Sequence, residues 1–293
     1  MGAQKLGYSP LIILGMHRSG TTMLTKALEK MGVFVGDKKR HNYEATFFQT
    51  LNRWLLYQAN TTWDYPEHYQ YIDDVYFKQT QRVIAKRLET TAIREYLGNA
   101  KFLKCHSLFQ LNFPWAWKDP VNSITWPVWL KLFPNAKFIH IYRNPFDVAL
   151  SLQKREMQRA ESFKIGRRRQ LKERFLVQNF QYQQSYFVKQ ADNGVHLWKQ
   201  YMQSIEKLKE SLDQSQFIEF QYENLIENQE LTFKQLSSFL ELKLNAKEMH
   251  KIASAMHVDS KYKFKSSSKG KELYQNWKED PMVQKYQYHN LIK

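Results

Sequence analysis

Short apolar runs recur along the chain at intervals that leave room for a helix between them. The runs are rich in Ile, Leu or Phe, as the buried strands of parallel sheets are. Parallel strands need long crossover connections, and the intervening segments are long enough to supply them. The pattern predicts strands at Leu11–Leu14, 101–105, Lys137–Tyr142 and Phe217–Gln221.

Between these runs, apolar residues recur three or four positions apart, which is the period of an amphipathic helix. Strands that alternate with helices predict an α/β fold of three layers, α/β/α, with a central parallel sheet flanked by helices. No linker rich in Gly, Ser or Pro divides the chain, so we expect one domain over residues 1–293. The predicted helices are 21–31, 47–58, 75–96, 146–159, 195–212 and 230–240.

Composition adds a strong positive charge to this picture. The 293 residues include 44 Lys and Arg against 28 Asp and Glu, a formal net charge of +16. Nucleic acid, an anionic membrane surface and a multiply charged cofactor would each be attracted by this excess. We expect a basic helical insertion at 154–174, which includes Arg167, Arg168 and Arg169, and a basic C-terminal segment from 261, where KYKFKSSSKGK predicts a mobile loop.

The cysteine count and the hydropathy pattern limit where such a protein works. One cysteine, Cys105, excludes a disulfide within the chain and a Cys-rich zinc site, and it favours a reducing compartment. No apolar run approaches the roughly 18 residues that a membrane-spanning helix needs, and the run at Leu11–Leu14 is too short for a signal peptide. We therefore expect a cytoplasmic protein without a transmembrane segment.

The strongest local motif is the segment from Gly15 to Thr22, between the first predicted strand and the first predicted helix. Backbone N–H groups of such a turn point into one space, where the helix dipole adds partial positive charge. The spacing of its two glycines copies a nucleotide P-loop, but Thr21 stands where that motif has lysine. Arg18 supplies positive charge at a different place. The fold prediction is therefore P-loop-like, with an anion site unlike that for ATP or GTP.

A second strand–turn–helix segment follows the predicted strand Lys137–Tyr142. Arg143 lies at the end of the strand, and Ser151 lies eight residues later on the predicted helix. An arginine and a hydroxyl in this arrangement can bind one phosphate from two sides. Two anion sites on one sheet imply a ligand with phosphates at both ends of a nucleoside, a shape that ATP lacks.

Both motifs resemble those of sulfotransferases that use 3′-phosphoadenosine-5′-phosphosulfate (PAPS). GMHRSGTT, Gly15 to Thr22, is similar to the 5′-phosphosulfate loop of that family, and Arg143 with Ser151 matches its 3′-phosphate site. The resemblance implies that PAPS is the co-substrate and PAP the product, with no metal required. It assigns cofactor contacts to His17, Arg18, Ser19, Gly20, Thr21, Thr22, Arg143, Ser151 and Tyr222, the last in YENL near the adenine.

Sulfuryl transfer needs a positioned acceptor hydroxyl, a base for its proton, and positive charge on the leaving phosphate. The resemblance assigns that charge to Arg18 and to Lys118, which lies in a Lys-Asp-Pro element. It places Glu44 first as the base, because the carbohydrate and tyrosylprotein branches carry a glutamate after the phosphosulfate loop. His106, which follows a predicted strand, imitates the base of the cytosolic branch, and Asp119 is the third candidate. The choice among these three stays open.

Two other functions compete with this interpretation. A P-loop-like nucleotide kinase predicts magnesium-dependent ATP binding, but the loop lacks the essential lysine. A non-enzymatic module that binds nucleic acid or membranes predicts salt-dependent binding through 154–174, but this stretch has no aromatic platform motif. The expected partner is instead a small-molecule, glycan or lipid hydroxyl acceptor. An anionic acceptor would give Arg167, Arg168 and Arg169 a role.

Overall fold

A parallel sheet forms the centre of the molecule. The computed structural model describes residues 8–162, 185–254 and 261–292. Its four-stranded sheet has the order β2-β1-β3-β4, and every neighbouring pair is parallel. Helices flank this sheet, so the predicted P-loop-like α/β fold is confirmed. The strands are β1 (Leu11–Leu14), β2 (Ala116–Lys118), β3 (Lys137–Tyr142) and β4 (Phe217–Gln221).

Six helices of the described residues lie close to the predicted periodic segments, and the others were not predicted. Short 3₁₀ turns stand between several of them, for example at Pro66–Tyr71 and Lys263–Ser266. No helix in the described part of the chain is long and apolar enough to cross a lipid bilayer. The helices are α1 (Thr21–Lys30), α2 (Thr46–Gln58), α3 (Asp74–Leu88), α4 (Arg94–Phe102), α5 (Asn122–Leu132), α6 (Pro145–Ser162), α7 (Ala191–Glu210), α8 (Tyr222–Glu227), α9 (Gln229–Phe239), α10 (Ala246–Ser254), α11 (Ser268–Trp277) and α12 (Pro281–Lys285).

Alternate residues of the strands bury one face of the sheet against helices. Ile13 on β1 and Ile139 on β3 belong to an apolar cluster that also contains Leu24 of α1 and Phe233 of α9. The opposite alternation puts His140 of β3 outside this cluster, beside Glu219 of β4 at 3.4 Å. Burial of this kind of aliphatic face is the main stabilising contribution of a parallel sheet.

The carboxyl ends of the four strands meet at one edge of the sheet, because all four run in the same direction. With the order β2-β1-β3-β4, the chain reverses its direction of winding next to β1, and such switch points are where α/β sheets bind ligands. The residues that directly follow or end the strands at this edge are Gly15, Lys118, Arg143 and Tyr222. The fold therefore assembles a site from residues far apart in sequence.

The chain divides into two compact units. The first, Met1–Arg143 with Gln200–Lys261, contains the whole sheet. The second, Asn144–Lys199 with Tyr262–Lys293, packs an aromatic cluster in which Phe146 lies 5.0 Å from Phe264 and 5.2 Å from Tyr274 between ring centroids. Within the second unit, the backbone N–H of Phe264 donates to Asp147 at 2.9 Å. The single-domain interpretation of residues 1–293 stays a prediction.

The predicted strand at 101–105 is wrong. Lys101 and Phe102 end helix α4, and the residues after them form an exposed turn in which Leu103 is 76% accessible. The run KFLKC is short and flanked by lysines, and a short apolar run does not distinguish a strand from a helix end. The missing strand is β2, only three residues long, which pairs with β1 at the edge of the sheet.

Two further expectations are corrected. The helix predicted at 75–96 ends at Leu88, because Thr90 accepts a hydrogen bond from the Ala92 N–H and begins a new turn. The loop predicted at 261–271 is helical from Lys263 onward, and the hydroxyl of Ser267 caps α11 by accepting from the Gly270 N–H at 3.0 Å. Most of the insertion at 154–174, including Arg167, Arg168 and Arg169, lies outside the described residues.

Candidate active site

The segment from Gly15 to Thr22, which we call the phosphate loop, connects β1 to α1 and is held tightly against its neighbours. Gly15 has φ +139°, and a side chain there would collide with the carbonyl oxygen of Ile141 on β3. The Gly15 N–H donates to the hydroxyl of Ser123 at 3.0 Å. Gly20, at φ +95°, precedes the first turn of α1, and Arg18 at φ 71° is exposed. The loop thus has the backbone form of an anion cradle at a helix N-terminus.

A buried hydroxyl in this loop has no hydrogen-bond partner. Ser19 is 1% exposed, and among the described residues nothing bonds its Oγ. Buried polar groups in proteins are nearly always bonded, so an orphan hydroxyl beside free helix N–H groups fits a ligand oxygen. The neighbouring hydroxyl of Thr22 is bonded instead, donating to the backbone carbonyl of Asn42 at 3.0 Å. Thr21 is buried as the first residue of α1.

Tyr222 brings the two predicted anion motifs together. Its ring packs on Gly20 so closely that an added Cβ there would lie 2.5 Å from Tyr222 Cδ2. On the same tyrosine, the guanidinium carbon of Arg143 lies 4.6 Å from the ring centroid, a cation–π distance. The phosphate loop, Tyr222 and Arg143 are therefore neighbours within the first unit. Ser151 belongs to the second unit, on α6, and its pairing with Arg143 stays a prediction.

A buried ion pair lies at the end of β2. Lys118 Nζ donates to Glu44 Oε1 at 3.1 Å, and the two side chains are 1% and 5% exposed. Gln49 Nε2 donates to the other carboxylate oxygen of Glu44. Burial lowers the pKa of Lys118, while the charge and hydrogen bond of Glu44 act in the opposite direction. Two of the residues predicted to be catalytic are thus in direct contact.

Asp119 adds a second carboxylate to this site, and we call Glu44, Lys118 and Asp119 the Lys118 cluster. Asp119 accepts from Asn52 Nδ2 at 2.9 Å and from the Val121 N–H at 3.0 Å. Burial, followed by the charge of Glu44, raises the pKa of Asp119 to about 7, against the lowering effect of these donors and of Lys118. A carboxyl that titrates near neutral pH in a buried cluster is typical of a functional site.

One backbone carbonyl connects the phosphate loop to the Lys118 cluster. The oxygen of Asn42 accepts from Thr22 Oγ1 at 3.0 Å and from Lys118 Nζ at 2.5 Å. Asn42 lies two residues before Glu44, in a turn where Tyr43 has φ 63°. Three hydrogen bonds in series therefore connect the phosphate loop, through Lys118, to the base candidate Glu44.

The two histidines singled out in the sequence have different surroundings. His17, in the phosphate loop, packs edge-on against Trp63, with 4.6 Å between ring centroids, and lies 6.4 Å from Tyr201. His106 is exposed, and its ring contacts Phe102 at the end of α4. Because the predicted strand at 101–105 is absent, His106 follows the end of α4 and an exposed turn, not a strand.

Several residues of the site were missed in the sequence. Gln49 and Asn52 contact the two carboxylates of the Lys118 cluster, and Asn42 contributes only its backbone. The sequence holds one weak indication of these residues. Gln49 and Asn52, three positions apart, interrupt the apolar pattern of the helix predicted at 47–58. A polar residue on the buried face of a helix indicates a bonded partner elsewhere in the fold.

Comparisons of the chain with known proteins find sulfotransferases. The sulfotransferase family model matches residues 10–246. Solved structures similar to the chain include the sulfotransferase domain from the Synechococcus PCC 7002 olefin synthase, which is 16% identical over 85% of this chain and 78% of that chain, with a TM-score of 0.47. A sulfotransferase from Alicyclobacillus acidocaldarius is 13% identical over 93% and 91%, with a TM-score of 0.49.

A third similar structure is mouse sulfotransferase SULT7A1 complexed with PAP, 15% identical over 87% of this chain and 66% of that chain, with a TM-score of 0.45. No curated protein sequence matches the chain. The family model spans most of the 293 residues, including the phosphate loop, the Lys118 cluster, Arg143 and Tyr222. The chain therefore belongs to the sulfotransferase family.

Proposed function

We propose that the protein transfers a sulfuryl group from PAPS to a hydroxyl of a small-molecule, glycan or lipid acceptor in the cytoplasm, releasing PAP. The observation that carries this proposal is the packing of Tyr222 against both Gly20 and Arg143. It brings a helix N-terminus and a buried arginine to one aromatic ring. This arrangement suits a nucleotide with anionic groups at both ends better than it suits ATP.

The residues of the loop fit the phosphosulfate end of PAPS. The orphan hydroxyl of Ser19 and the first N–H groups of α1 bind its oxygens, and Arg18 adds positive charge from the exposed side. Arg143, only 7% exposed, holds the 3′-phosphate together with the predicted contact of Ser151, and Tyr222 borders the adenosine. Bound in this way, PAPS supplies an activated sulfuryl group.

Glu44 is the general base of the proposed reaction. It accepts the proton of the acceptor hydroxyl while the hydroxyl oxygen bonds to sulfur, and the electron pair of the cleaved bond remains on the departing phosphate. Lys118 and Arg18 stabilise the negative charge that develops there. Glu44 is preferred to Asp119 because Lys118, which bonds it, also bonds the Asn42 carbonyl that Thr22 contacts, whereas the oxygens of Asp119 face Asn52 and Val121.

Calorimetric titration with PAP tests the cofactor. We expect PAP to bind much more tightly than AMP, and Arg143→Ala to weaken PAP binding by at least about tenfold, since a buried charged contact is lost. Arg82→Ala, on the exposed side of α3, is the matched control and leaves affinity unchanged. Binding of PAP no tighter than AMP would overturn the proposal, and magnesium-dependent binding of ATP in its place would favour a kinase.

Transfer of radiolabelled sulfate from PAPS tests the reaction itself. Phenols, sugars, lipid alcohols and anionic hydroxyl compounds are offered as acceptors to the wild type, Glu44→Gln and His106→Ala. We expect Glu44→Gln to lose about a hundredfold in kcat and to retain PAP affinity, and His106→Ala to keep its activity. The reverse pattern would transfer the role of base to His106.

A further inference from the structure

Helix α2 presents two amide side chains to the two carboxylates of the Lys118 cluster. Gln49 Nε2 donates to Glu44 Oε2, and Asn52 Nδ2 donates to Asp119 Oδ2 at 2.9 Å. The two amides are three positions apart, so they lie on the same face of the helix. Each neutral amide therefore meets one of the two carboxylates that stand on either side of Lys118.

The orientation of the Asn52 amide is determined by its other partners. Its Oδ1 accepts from the indole N–H of Trp129 and from the hydroxyl of Thr125, both at 2.8 Å. An indole nitrogen can only donate, so the oxygen of Asn52 must face Trp129. The NH₂ group is thereby directed to Asp119 and to Asn122 Oδ1, which is 2.7 Å away. Asn52 is fully buried, and all of these bonds are internal.

Amide N–H groups that donate to carboxylates favour their ionised form. This effect matters most where burial opposes ionisation, as it does at Asp119, whose pKa is raised to about 7. The charged groups that face Asp119 are Glu44, which raises its pKa, and Lys118, which lowers it. An ionised Asp119 in turn favours the charged form of Lys118, whose pKa is lowered by burial.

We propose that Gln49 and Asn52 are positioning residues of the Lys118 cluster: Asn52 keeps Asp119 ionised beside Lys118, and Gln49 holds the carboxylate of Glu44 in place to accept the acceptor proton. The inference rests on the proposed function for its catalytic meaning. Its physical content, the ionisation of Asp119, does not depend on turnover. The amides touch neither PAPS nor the acceptor in this proposal, and they act through the carboxylates.

Carboxyl titration by ¹³C NMR tests the ionisation directly in the full-length protein. Glu44→Gln and Asp119→Asn identify the two resonances. We expect Asn52→Ala to move the titration midpoint of Asp119 upward by about one pH unit, because Asp119 loses a donor to its charged form. Should Asn52→Ala not fold, the smaller change Asn52→Ser, which also removes the amide donor, decides the question.

Two control variants separate positioning from stability. Thr125→Val removes a bond to Asn52 Oδ1 but leaves the donor to Asp119 in place, and Gln58→Leu changes an exposed amide at the end of the same helix. Both should leave the midpoint of Asp119 unmoved. An unchanged midpoint in Asn52→Ala, or an equal shift in Thr125→Val, would overturn the inference.

Sulfuryl transfer gives the catalytic readout. In Asn52→Ala, kcat at pH 6 should fall about tenfold and recover above about pH 9, as a shift of one pH unit in an acidic limb requires. Gln49→Leu should lower kcat, and in both variants KM for PAPS should stay within about twofold of wild type. A loss of kcat by the same factor at every pH in Asn52→Ala, or an unchanged kcat in Gln49→Leu, would contradict positioning. If the wild type transfers nothing, the proposed function fails, while the NMR titration still decides whether Asn52 controls the ionisation of Asp119.

Discussion

The phosphate loop and the Lys118 cluster are joined by a single carbonyl, yet they are built in opposite ways. The loop is eight consecutive residues, Gly15 to Thr22, and the groups that we propose to bind the phosphosulfate are mostly backbone N–H groups at the start of α1. The cluster joins side chains 74 positions apart, Glu44 and Lys118, and its contacts come from α2 and from the residues that precede α5. Conformation makes the loop, whereas burial and charge balance make the cluster, so substitutions should damage them by different mechanisms.

The largest contrast should come from removing the lysine of the cluster. Lys118→Met leaves Glu44 buried without its ion-pair partner, and we expect a loss of about 3 to 5 kcal/mol in the free energy of unfolding. The exposed pair of Lys38 and Glu95 is the control, and Lys38→Met should cost less than about 1 kcal/mol. Urea denaturation measures both.

A second substitution should rescue the first. Glu44→Gln in the Lys118→Met background removes the uncompensated charge, so the double variant should regain about half of the lost stability. Failure of the rescue would mean that Lys118 stabilises the fold by packing rather than by charge.

The next contrast concerns pH and belongs to the cluster alone. Because the pKa of Asp119 rises from 3.8 to about 7 on folding, the folded protein holds this proton to higher pH than the unfolded chain does. The contribution to stability is therefore full below pH 3.8 and is lost as the pH rises toward 7. Asp119→Asn has no carboxyl to ionise and keeps the same stability across this range. The stability of this variant relative to wild type should therefore increase by about 2 kcal/mol between pH 5 and pH 8.

Denaturation at the two pH values measures this difference, with the exposed carboxyl variant Asp213→Asn as the control. Equal pH dependence in wild type and Asp119→Asn would show that Asp119 is ionised throughout this range. Burial would then not raise the pKa of Asp119 into this range, and Asn52 would have no such effect to oppose.

The smallest contrast tests the conformation of the loop. Gly20→Ala forces a side chain into a left-handed backbone and against Tyr222, whereas Gly32→Ala, at φ +89°, shares the backbone strain but meets nothing within 4 Å. The difference between the two variants should be about 1 to 2 kcal/mol in stability, and only Gly20→Ala should weaken PAP binding. Equal affinities in calorimetry would show that the contact of Gly20 with Tyr222 is unimportant for the ligand.

The difference between a loop of consecutive residues and a cluster of distant side chains explains what the sequence could predict. The phosphate loop was recognisable because glycine spacing and a helix start are local properties, and strands β1, β3 and β4 are rich in Ile, Leu or Phe. Strand β2 has only three residues and ends in a lysine, so neither its length nor its composition distinguishes it. The run at 101–105 is longer, yet it covers the end of α4 and an exposed turn.

The contacts of the cluster could not be predicted for a related reason. Lys118 and Glu44 were identified by resemblance, but their ion pair depends on how α2 and β2 pack within the first unit. Asn52 reaches Trp129 and Asp119 through tertiary contacts more than 60 positions away in sequence. Helix α5 was also missed, because its run of apolar residues contains Pro127 and lacks amphipathic spacing.

The carbonyl of Asn42 has a genetic consequence. A main-chain oxygen is present whatever residue the codon specifies, so a scan of substitutions at position 42 would report a tolerant site even though Thr22 and Lys118 both bond there. Only a change to the backbone itself, such as an ester in place of the Asn42–Tyr43 amide, weakens that acceptor. Side-chain substitution therefore does not detect this link between the phosphate loop and the Lys118 cluster. Chemical synthesis or an expanded genetic code is needed to change the Asn42 carbonyl.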